Sequence, residues 1–107
     1  MSNIADLQIR AAAQIALLGV ITDSIRAVSV DQDSSKNVIR LRVHYSAEPH
    51  ETEQENMSAA ATEISAAYPM GWTMDEEYII CAAPQKPDYL RLVVYAKCES
   101  PDFLPPA

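Results

Sequence analysis

Glycine is scarce in this chain: Gly19 and Gly71 are the only two among 107 residues. A loop that cradles phosphate needs several glycines, so a P-loop and a GxGxxG turn are excluded, and most nucleotide-binding classes go with them. Neither GxSxG nor HExxH occurs. Cysteine is equally rare. Cys81 and Cys98 make no CxxC pair, and with His44 and His50 they show no ligand spacing that zinc would use. The two cysteines read as buried thiols, although adjacent strands could bring them within disulfide reach. No metal and no cofactor are expected. Long apolar runs are also missing: the most apolar stretch, Ala11 to Ile21, is broken by Gln14 and is too short for a bilayer. The first residues lack the basic region of a signal peptide. A cytoplasmic protein with no membrane partner is the expectation.

Positive charge is the most telling shortage. The chain has 8 Lys and Arg against 15 Asp and Glu, a net charge of −7. Between Arg42 and Lys86 there is no lysine or arginine, while Glu48, Glu51, Glu53, Glu55, Glu63, Asp75, Glu76 and Glu77 fall in that interval. Such a balance opposes nucleic-acid binding, which rests on clustered Lys and Arg. A concentrated acidic field instead suits a basic partner surface, because opposite potentials steer encounter. The plainer reading is a solvated face that keeps the domain soluble.

About half the residues are apolar, which suits one folded domain with a single core. Ile4, Leu7, Ala11, Ile15 and Leu18 recur at steps of three and four and predict a first helix buried along that stripe. Ser2 or Asn3 would cap it and Gly19 would end it. Ser24–Asp31 reads as a strand, and a polar turn over residues 33–37 leads into Val38–Ala47. There Ile39, Leu41, Val43 and Tyr45 alternate with Arg40, Arg42 and His44, the pattern of a strand with one wet face. Pro49 opens a second helix whose buried stripe is Met57, Ala60, Ala61, Ile64, Ala67 and Tyr68. Glu48, Glu51, Glu55 and Glu63 project roughly opposite, and acids in a first turn also suit the helix dipole. Pro69 and Gly71 stop that helix. Strands follow over Thr73–Ala83 and Tyr89–Cys98.

The order α-β-β-α-β-β predicts a two-layer α+β domain: a four-stranded antiparallel sheet with both helices on one face. Residues 1–99 would form the domain and residues 100–107 a proline-rich tail. His44 with Arg40 and Arg42 could in principle serve phosphoryl chemistry, but strand alternation already explains all three, and nothing places a second acid or base beside them. The chain does not read as an enzyme. Trp72 either closes the edge of the core or anchors a partner.

Three segments carry a resemblance: IRAVSVD at 25–31, IRLRVHYSAEPHETEQE at 39–55, and ATEISAAYP at 61–69 followed by Trp72. Together with the element order, they resemble small bacterial immunity proteins of contact-dependent inhibition and other polymorphic toxin systems. Tyr45, Glu48, Glu51 and Glu53 match an acidic stretch common in that group. The resemblance implies an inhibitor that binds a cognate toxin domain with a basic surface, commonly a nuclease. Its contacts would include Glu48, Glu51, Glu55, Asp75, Glu76 and Glu77, with Trp72 as an anchor. The alternative is a homodimeric interaction or scaffold domain, paired through sheet edges or the helix-free face.

Overall fold

The computed structural model describes residues 4–97. The capping residues Ser2 and Asn3, the thiol of Cys98 and the tail 100–107 lie outside the described residues. Six elements follow in order: α1 (Ile4–Ala16), β1 (Ile25–Asp33), β2 (Val38–Tyr45), α2 (Glu51–Ser65), β3 (Thr73–Ile80) and β4 (Leu92–Ala96). The sheet order is β3-β2-β1-β4.

The sheet is mixed, which corrects the antiparallel expectation. β1 pairs antiparallel with β2 and with β4, but β2 and β3 run parallel, from Val38 beside Thr73 to Tyr45 beside Ile80. The cause is the connection. α2 carries the chain back along the sheet, so β3 starts where β2 starts, as in any β-α-β unit. Both helices lie on one face, α1 over β1 and β4 and α2 over β3, and they touch each other.

The core forms between this helical layer and the sheet. Val28, Val30, Ile39, Leu41, Val43 and Tyr45 meet Ile9, Ala13, Met57, Ala61 and Ile64, all fully buried. On α2 the expected stripe is buried as far as Ile64, Tyr68 is half-buried, and Ala67 is exposed. Pro49 precedes the N-cap residue His50 instead of opening the helix. Gly19 adopts the left-handed conformation just after α1 (φ 78°), and Asn37 does so in the β1–β2 hairpin (φ 55°).

α1 turns its other face inward. Asp6, Ile9, Ala13 and Ala16 are buried, whereas Ile4, Leu7, Ile15 and Leu18 are 59–82% exposed. The helix is apolar on both sides, so periodicity alone could not choose between them. A long-range ion pair and small residues decide it. Asp6 accepts two hydrogen bonds from Arg91 (2.8 and 3.0 Å), while Ala13 and Ala16 let the helix sit close on the sheet.

The helix-free face is also not the wet face expected. β3 and β4 are the two edges of the sheet, so the segment 81–91 must cross the back of β2 and β1. Arg26, the extra residue at a bulge in β1, is 2% exposed and donates to the carbonyls of Cys81 and Gln85. Ser29 Oγ accepts from the Leu90 amide (2.9 Å), and Arg42 donates to the Asp88 carbonyl (2.9 Å). His44, expected at the surface, is buried beneath this segment at 1% exposure, with the Tyr89 ring edge-on to it. Cys81 is a buried free thiol, in line with cysteine's behaviour as a small hydrophobe.

Candidate binding face

α2 and the adjacent edge strand β3 carry most of the predicted acidic contacts. One helix turn separates Glu51 from Glu55, so both carboxylates point the same way. Both are exposed and, with Gln54, Ser58 and Tyr78, they line an open groove of about 320 Å³. The Tyr78 hydroxyl donates to a carboxylate oxygen of Glu76. Burial and that bond push the Tyr78 phenol well above its usual range, so at neutral pH it remains a donor that fixes the Glu76 carboxylate. Strand alternation puts Ile80 on the same face, and it is 55% exposed. Glu48 is exposed just before the helix.

Glu53 points inward from the same helix. Its Oε2 accepts hydrogen bonds from the hydroxyls of Thr22 and Ser24, which ties the start of α2 to the start of β1. Its charge and burial together push the nearby Tyr45 phenol up to about 12, with burial the larger cause.

The other predicted contacts are placed elsewhere. Asp75 and Glu77 alternate onto the helix-free side of β3. There Glu77 accepts from Arg40 (3.1 Å) and from Arg42 (3.3 Å), so its charge is largely matched. Asp75 is exposed on that same side. Trp72 is half-buried against the core, with its ring 4.9 Å from that of Tyr68. It closes the core edge at the far end of β3, roughly 20 Å from Tyr78 at strand spacing. Sequence reasoning missed Gln54, Ser58, Tyr78 and Ile80. The only signal for them was the parallel β2–β3 pairing, which sets what lies beside α2.

Among the described residues, no group of three or more His, Cys, Asp and Glu is placed to hold a metal ion. No helix among them is long and apolar enough to cross a membrane. What the fold presents is a small α+β domain with exposed carboxylates on its second helix. A profile of the MafI2 immunity protein family matches residues 6–99, and the chain belongs to that family. Comparison with curated proteins gives no match. The resemblance to small bacterial immunity proteins is thereby borne out, and toxin neutralisation is the general function that membership carries.

Proposed function

We propose that this protein neutralises a cognate toxin domain by laying the α2–β3 face over a basic surface of that domain. The observation that carries this reading is the geometry of Glu51, Glu55 and Glu76. Glu51 and Glu55 line one groove with Tyr78, which donates to Glu76, and Ile80 is exposed on the same face of β3, while no lysine or arginine lies between Arg42 and Lys86 to offset them. A nuclease cleft is the target that best fits such a face, because it must be basic enough to hold phosphate and carboxylates can take the place of substrate phosphates. The protein itself performs no chemistry in this role, and the setting is a polymorphic toxin system of the contact-dependent kind. Glu48 extends the face, while Trp72, Asp75 and Glu77 lie outside it.

The test is the association rate with the toxin domain whose gene adjoins this one. Glu51→Lys combined with Glu55→Lys is expected to slow association by about tenfold or more at low salt. Asp75→Lys, on the other side of the strand, is expected to leave the rate within about twofold. An unchanged rate in the double variant would show that the toxin binds another surface.

A further inference from the structure

We infer that the exposed face of α1 is a self-complementary surface that pairs two copies of this chain through antiparallel α1 helices. The helix is inverted relative to an ordinary surface helix. Its charged residues turn inward, Asp6 to Arg91 and Arg10 to the Val93 carbonyl, whereas three large aliphatic side chains of the helix, and Leu18 in the turn just beyond it, face solvent. Ile4 is 82% exposed, Leu7 59%, Ile15 65% and Leu18 78%. A contiguous apolar stripe of this kind on a protein of net charge −7 marks an interaction surface.

The order of residues along the stripe identifies the occupant. Ile4, Leu7, Ala11, Ile15 and Leu18 are symmetric about Ala11: Leu7 and Ile15 stand four residues to either side, Ile4 and Leu18 seven. Gln8 and Gln14 stand three to either side. A two-fold axis through Ala11 therefore sets Leu7 of one copy against Ile15 of the other, Ile4 against Leu18, and Gln8 against Gln14. An isologous interface requires this relation, in which residue i meets j and j meets i. Ala11 at the axis lets the helices approach closely. The facing glutamine amides each offer both a donor and an acceptor. The exposed side of α1 carries no charge, and the groove beside Ile15 and Leu18 contributes Glu63 of α2.

The area is that of a weak, reversible pair. Each Ile or Leu moved from water into an interface removes on the order of 100 Å². Four from each copy, with Ala11, the glutamine stems and the groove walls Val20 and Ala59, approach the ~1,200 Å² at which specific interfaces begin.

The experiment is sedimentation of the full chain over a roughly hundredfold concentration range, since a two-copy assembly must dissociate on dilution. The weight-average mass is expected to rise from one chain toward two. Leu7→Glu alone and Ile15→Lys alone should each weaken association by about tenfold or more, with circular dichroism unchanged, and melting unchanged at dilutions where the natural protein is a single chain, because both positions are exposed. Mixing the two variants should restore the dimer, because the new carboxylate of one copy then faces the new ammonium of the other. A single-chain mass at every concentration overturns the proposal, whether the stripe is covered by residues 98–107 or by a different protein. So does wild-type association in either single variant. A mixture no better than its components overturns the antiparallel register and the proposal with it.

Discussion

His44 carries two buried ring nitrogens, and neither has a hydrogen-bond partner among the described residues. A buried polar group left unpaired costs about 1–3 kcal/mol, so His44 is the residue at which removal of the nitrogens is expected to cost least. Burial is the main cause that holds its pKa below the ordinary 6.5, and the Arg42 charge adds to it, with Arg26 contributing less; Asp88 and Glu77 act in the opposite direction. The sign follows directly. Above 6.5 the imidazole is neutral in both states and folding is not opposed. As pH falls below about 6.5 the unfolded chain takes up a proton that the folded protein resists, and stability drops until the lower folded pKa is reached. His44→Phe keeps the ring against Tyr89 and removes both nitrogens. Urea unfolding should find this variant as stable as the natural protein, or more stable by up to about 1 kcal/mol, at neutral pH. The advantage should widen between neutral pH and about pH 5. Parallel stability–pH curves for the two proteins would refute the assignment.

At the scale of elements, the segment 81–91 behaves as a strap across the back of the sheet, and Arg26 is its buckle. A guanidinium at 2% exposure that donates to two backbone carbonyls makes charge-assisted bonds worth about 1.5–3 kcal/mol each. Arg26→Met should therefore cost about 3–6 kcal/mol and raise amide hydrogen exchange over residues 81–90 ahead of the rest of the molecule. Uniform exchange, with the strap no faster than β2, would mean that Arg26 does not hold it. This strap also marks where sequence reading ran out. Alternation in Val38–Tyr45 correctly separated Ile39, Leu41, Val43 and Tyr45 from Arg40, Arg42 and His44, but it could not show that a crossing segment would cover the second set. All six elements, their order, the fate of Gly19 and the inward stripe of α2 as far as Ile64 were legible, because each is local. Long-range pairs decided the rest. Arg91 draws Asp6 inward and reverses α1, and the β2-α2-β3 order makes one strand pair parallel. That second signal was present in the order itself, since a helix between two strands is the ordinary route to a parallel pair.

The whole molecule separates two kinds of surface. Acidic charge lies on α2 and β3, while the outward side of α1 is uncharged and apolar, and the two respond oppositely to salt. Exposed charges are screened within about 10 Å at 0.1 M ionic strength, so steering of a basic toxin domain by Glu51, Glu55 and Glu76 should weaken as salt rises. Apolar burial has no such dependence, and between copies that each carry −7 added salt reduces the mutual repulsion. Raising salt from about 0.05 to 0.5 M should therefore slow toxin association by about tenfold or more while changing dissociation much less. Over the same range, self-association through α1 should hold or tighten. Stopped-flow mixing with the toxin domain and sedimentation of the free protein measure the two responses independently. If both weakened together, the charged face would be shared by the two contacts, and the division of labour between α1 and the α2–β3 face would be wrong.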